Sequence, residues 1–252
     1  MDSVNVPLDQ QTSDDNSLFG GNMPFLDHLE ELRRRVLKAI LAVVVLSAVS
    51  FYFSEPLMQF LIKPLGDVKL HVTEVTGSFY AYLKVALIFG IGGSLPVIVY
   101  QLWMFVSPGL YKSERAMILP FILISLILFG IGAGFCYLVV LPLALDFLIG
   151  FGGEILNPII TVSSYLGFAG MLLLSFGFGF ELPIVAFVLG KVGIISSGML
   201  ARGRRYAVVG ILIVAAVLTP TPDVFTQLML AGPLYLLYEL SIIVVRITGR
   251  RN

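Results

Sequence analysis

Cysteine, tryptophan, histidine and charge are all scarce in this chain. Among 252 residues there is one cysteine, Cys136, one tryptophan and two histidines, His28 and His71. A single cysteine inside an apolar run excludes a disulfide framework. Two isolated histidines give no metal-ligand spacing, so neither a metal nor another cofactor is expected. Charged residues make up 13% of the chain, against about 25% in soluble domains. Residues 1–22 hold Asp2, Asp9, Asp14 and Asp15 but no Lys or Arg. A signal peptide opens on a basic segment, so this stretch is not one and reads as a disordered acidic tail. Regular alternation of apolar and polar residues is also missing, which excludes a transmembrane β-barrel.

Hydrophobic residues are what the chain has instead, at 58%, with a mean hydropathy of +0.95. Several apolar runs approach the ~18–20 residues needed to cross a bilayer. The fold class is therefore all-α, a polytopic membrane protein with six spans in a membrane domain over 23–247. Residues 24–35 (PFLDHLEELRRR) start an amphipathic helix, and Val36 to Phe53 is the first span. The loop from Ser54 to Ser78 carries a short surface helix, in which Leu57, Phe60, Leu61 and Leu65 recur at helical spacing until Pro64 and Gly66 end it. Phe79 to Phe105 is the second span, kinked at Pro96. Met117 to Leu145 is the third, and its Gly130 and Gly134 predict a close-packing G-x-x-x-G face. Asp146 to Val162 is a second loop on the same side as the first. The fourth span, Ser164 to Leu189, is glycine-rich and contains Glu181. Tyr206 to Leu218 is the fifth, reaching only about 20 Å at 1.5 Å per residue. After TPTPD (219–223), the sixth runs to Val245, with Gly232-Pro233 as a break. Residues 248–252 are a basic tail.

Charge orients the bundle. One side carries Arg33, Arg34, Arg35, Lys38, Lys112, Arg115, Lys191, Arg202, Arg204, Arg205, Arg246, Arg250 and Arg251. The other has only Lys63, Lys69 and Lys84. The positive-inside rule puts both termini in the cytoplasm. No internal repeat is visible, which weighs against repeat-built transporters.

Against that basic side, a few acids invite two readings each. Glu31 and Arg35, like Glu30 and Arg34, have the spacing of ordinary helical ion pairs. Glu114 follows Pro108-Gly109 and Ser113 and can serve its own helix dipole. Phe105 suits the headgroup level as an interfacial aromatic. Each could equally receive another molecule's cation. Glu181 lies about two-thirds of the way into the fourth span, where an ionisable group costs at least ~2.5 kcal/mol and marks function; neighbouring glycines leave room for a helix or water. Glu239 lies closer to the cytoplasmic interface, where it can pair. Gln227 and Thr219 flank a tight outer turn between short apolar segments, which predicts a locally thin bilayer.

Four motifs, in order and at matching spacing, carry a resemblance. H-L-x-E-L-R (His28 to Arg33), F-x-x-P-x-L-Y-x-x-E (Phe105 to Glu114), F-x-F-E-x-P (Phe178 to Pro183) and L-T-P-x-x-D-x-F-x-Q (Leu218 to Gln227) together resemble the TatC family. That family is the multispanning receptor of the twin-arginine translocase, which exports folded proteins. The resemblance covers about Pro24 to Arg246, with TPTPD standing where the commoner pattern is TPPD.

It implies six spans in a concave, glove-like bundle in the bacterial inner membrane, and no enzymatic activity. Glu31 and Glu114 resemble the acids that receive the paired arginines of the signal peptide, with Arg33, Phe105, Leu110, Tyr111 and Lys112 in the same patch. Glu181 resembles the intramembrane acid of the concave face. Thr219 and Gln227 resemble the polar spot that meets the single-span partners TatA and TatB. Pro64, Pro108, Asp223 and Glu239 fall at supporting positions. The implied partners are twin-arginine signal peptides, TatA- and TatB-like proteins, the lipid bilayer and further copies in a multimeric receptor, and the implied energy source is the proton-motive force. The competing reading from the residues is an ion-coupled transporter with Glu181 as proton relay.

Overall fold

In a bilayer every backbone polar group must be satisfied within the protein, so long apolar runs have little choice but helix. The computed structural model describes residues 23–66, 68–106, 118–150, 159–218 and 224–248. These form nine α-helices among the described residues: α1 (Met23–Tyr52), α2 (Ser54–Ile62), α3 (Gly77–Val106), α4 (Ile118–Phe135), α5 (Leu141–Gly150), α6 (Val162–Gly179), α7 (Leu182–Val192), α8 (Ser197–Leu218) and α9 (Val224–Thr248). Five runs are long and apolar enough to cross a membrane: His28–Tyr52, Gly77–Phe105, Leu119–Gly150, Val162–Val192 and Val224–Thr248. α8 starts among Arg202, Arg204 and Arg205, so only its second half is apolar. It contains the stretch read as the short fifth span, and it is not among these five runs. The acidic tail 1–22 of the sequence reading lies outside the described residues, as do residues 67, 107–117, 151–158, 219–223 and 249–252.

Five expectations need correction. The amphipathic start and the first span are one continuous helix, α1. The short helix α2 does more than lie on the surface, because Met58 and Leu61, with Leu65 of the following 3₁₀ turn, belong to the main core. Tyr137 and Tyr165, from two other helical runs, donate hydrogen bonds to the carbonyls of Phe60 and Leu61. These caps hold the C-terminal end of α2, where Gly66 at φ 65° turns the chain. The third run changes pitch through a π segment, Cys136–Val140, between α4 and α5.

The third correction concerns glycine. A methyl group added at Gly130 or Gly134 meets nothing within 4 Å, so the G-x-x-x-G pair faces outward. The close approach is at Gly132 between them, where the same group would lie 2.6 Å from the Phe176 carbonyl. Fourth, the glycines near Glu181 are not vacant: Gly177 is filled by the Phe129 ring and Gly179 by Leu234. Fifth, α9 runs unbroken through Gly232-Pro233. α1 meets α3 where Ser47 approaches Gly90, and none of its described side chains is buried.

The main core joins α2, α3, α5, α6 and α9 around Leu61, Val85, Leu141, Leu166 and Phe176. A smaller cluster, Leu95, Val99, Trp103, Ile122 and Val188, lies at the other end of α3. Phe105 follows this cluster by one half-turn, and the cluster packs that end of α3 against α4 and α7.

Candidate functional site

α1 carries Glu31 one turn after His28 and one turn before Arg35, so all three share a face. The Arg35 guanidinium donates twice to Glu31 Oε1, from Nε at 3.0 Å and from a terminal nitrogen. Glu31 Oε2 has the His28 Nδ1 at 3.7 Å, beyond hydrogen-bond distance. The imidazole in turn stacks on Phe105 from α3, with ring centroids 4.4 Å apart and planes 17° from parallel. Glu31 and Phe105 are thus joined through His28. The neighbouring pair, Arg34 to Glu30 at 2.8 Å, is a looser surface pair. Its side chains are 72% and 57% exposed, against 19% and 31% for Arg35 and Glu31. A cavity of about 440 Å³ opens beside Glu30, Glu31, Arg34, Arg35 and Lys38. Arg33 is exposed on the same helix. Leu110, Lys112, Glu114 and Pro108 lie outside the described residues.

Glu181 stands at a short helix break inside the run Val162–Val192. Pro183 has no N–H to give the Gly179 carbonyl, so α6 ends and α7 begins with Glu181 at its N-cap position. The Glu181 amide donates to the Phe178 carbonyl at 3.1 Å, and its own carbonyl accepts from Ile184 and Val185. Its side chain enters a cleft of about 390 Å³ walled by Leu95, Val99, Leu102, Trp103, Ile184 and Val188. Ser125 lines the same cleft, and Glu181 Oε1 is buried without a partner among the described residues. One acid and one hydroxyl in an otherwise apolar cleft do not form a polar track.

The other sequence candidates are engaged within the chain. Gln227 Nε2 donates to the Leu212 carbonyl of α8 at 2.9 Å. Glu239 accepts two bonds from Arg204, at 2.6 and 2.8 Å, and a third from Tyr235 at 2.9 Å. Pro64 sits in the 3₁₀ turn after α2. Thr219 and Asp223 lie outside the described residues. Lys84 donates to the Ser163 carbonyl and hydroxyl at 3.0 and 2.7 Å. Three participants escaped the sequence reading: His28, Arg204 and Ser125. Only His28 left a local signal, its three-residue spacing from Glu31.

These features define a multispanning helical membrane protein with a half-buried acid in an apolar cleft and an arginine-bound carboxylate beside an aromatic stack. The family model for the Sec-independent protein translocase protein (TatC) matches residues 27–233. The Sec-independent protein translocase protein TatC of Desulforapulum autotrophicum is 40% identical over 234 residues, covering 91% of this chain and 86% of that protein. The TatC of Campylobacter jejuni is 42% identical, covering 87% and 92%. A crystal structure of a twin-arginine translocase receptor, TatC, superimposes with a TM-score of 0.81 at 38% identity, covering 88% of this chain and all of that one. The chain belongs to the TatC family and is a component of the Sec-independent protein translocase.

Proposed function

We propose that this chain is the receptor of the twin-arginine translocase in the bacterial inner membrane, with both termini cytoplasmic. Glu31 and Glu114 receive the two arginines of the signal peptide, and Arg33, Phe105, Leu110 and Lys112 complete that patch. The edge at Thr219 and Gln227 takes TatA- and TatB-like single-span partners, and several copies assemble for export driven by the proton-motive force. The observation that carries the reading is Glu31, a half-buried carboxylate among arginines, backed by the stacked His28 and Phe105 rings. A guanidinium fork matches a carboxylate in a way a lysine ammonium does not. Two acids are what a pair of arginines requires.

The test is equilibrium binding of a synthetic twin-arginine peptide to the purified chain. Glu31→Ala abolishes binding while insertion and folding persist, and Glu31→Gln is nearly as damaging, because charge-assisted bonds are about twice as strong as neutral ones. Wild-type affinity in Glu31→Ala contradicts the receptor assignment.

A further inference from the structure

Each described glutamate at the basic end already holds an arginine of its own chain: Glu30 holds Arg34, Glu31 holds Arg35 and Glu239 holds Arg204. The receptor carboxylate is therefore occupied by the same functional group that it is proposed to recognise. We propose that Arg35 is a resident competitor at Glu31, and that a signal-peptide arginine binds by guanidinium-for-guanidinium exchange. The inference rests on the receptor reading above and adds the residue that sets its affinity.

The geometry fits an exchange in steps. Both Arg35 donors fall on Oε1, while Oε2 has, among the described residues, only His28 Nδ1 at 3.7 Å. An incoming guanidinium can take Oε2 first and displace Arg35 from Oε1 second. The carboxylate is never left bare in a partly buried site, where an unpaired charge is costly. The cavity beside the pair gives the incoming group its approach. The Glu30–Arg34 pair differs because it is open to solvent on both partners, where such pairs contribute little.

A resident competitor lowers the apparent affinity for every ligand by the fraction of receptor already released. It sets a threshold for binding and leaves the ratio between ligands unchanged. Discrimination of arginine from lysine then stays with the carboxylate geometry, and Arg35 tunes how weakly the receptor holds any cation.

The experiment titrates fluorescent peptides with paired arginines or paired lysines against the full chain in lipid nanodiscs. The variants are Arg35→Gln, Arg35→Lys, Arg34→Gln and Glu31→Ala. Arg35→Gln is expected to tighten both peptides by the same factor, about two- to fivefold for releasing a pair of this kind. Arg35→Lys gives a smaller gain in the same direction and serves as the deciding variant if Arg35→Gln does not fold. Arg34→Gln removes the same charge from the same surface and gains less. Three results overturn the inference while leaving the receptor reading intact, provided Glu31→Ala still loses binding. They are unchanged or weaker binding in Arg35→Gln, an equal gain in Arg34→Gln, which would make the effect one of net charge, and a gain for one peptide only. Wild-type binding by Glu31→Ala overturns the reading itself.

Discussion

Gly130 and Gly132 sit on nearly opposite faces of α4 and should answer the same substitution in opposite ways. At Gly132 a methyl group would be driven against the Phe176 carbonyl and the Phe180 ring. A backbone oxygen cannot swing aside as a side chain can, so Gly132→Ala should cost the ~1–3 kcal/mol of an overpacked core. At Gly130 the space is open, and alanine should be neutral or stabilising by up to about 1 kcal/mol through helix propensity. Apparent melting temperatures of the two variants in detergent check this, and similar losses at both sites would contradict the packing described. The sequence showed that glycines mattered here but pointed to the wrong pair. Spacing marks a possible face without saying which face meets a neighbour. The same limit applied to Glu31, whose pairing with Arg35 was readable from a four-residue interval, while the stack of His28 on Phe105 joins helices distant in sequence and left no trace beyond the motif.

At the scale of elements, α8 is held by packing and by polar ties together. Ala215 is its only described buried side chain, with Ile211 and Leu212 partly buried against the same core. Polar ties add to this packing: Gln227 to the Leu212 carbonyl, Tyr238 to the Leu200 carbonyl, and the two-pronged Arg204–Glu239 pair. In the membrane a side-chain bond between helices, such as that of Gln227, contributes ~0.6–2 kcal/mol. Gln227 therefore serves α8 in the free chain, and a partner's polar group at that edge must share or replace this bond. Gln227→Leu should weaken co-purification of a single-span partner several-fold while changing twin-arginine peptide binding little. Equal loss of both would mean that the residue only holds α8 in place. Hydropathy and length made most helices legible from sequence, while the stretch read as the fifth span is the second half of a longer helix that begins at Ser197. The break between α6 and α7 was also signalled, by Pro183, but a continuous apolar run masked it.

On the scale of the whole molecule, arginines and lysines gather at one end and Glu181 stands deep within an apolar run. Positive-inside asymmetry, six apolar runs and four motifs were enough to read the fold class and family. What remained hidden was the interior of the site, because Ser125 lines the Glu181 cleft and Arg204 reaches Glu239 from other helices. With its Oε1 buried and unpartnered, Glu181 acts in this account as a polar group at depth. Glu181→Gln should keep most of the transport activity at matched membrane levels, and Glu181→Leu should keep peptide binding but impair transport. Equal inactivity of both would favour a proton relay. The central claim is that the Glu31–His28–Phe105 end receives the paired arginines, and photocrosslinking tests it most directly. A benzophenone amino acid is placed at Phe105, with a control at Tyr52 on the opposite end of α1, which is 84% exposed. The account predicts a crosslink to a twin-arginine peptide from position 105, lost when the arginines become lysines or Glu31 becomes Ala, and none from position 52. Equal crosslinking from both positions, or from position 105 regardless of the arginines, would contradict it.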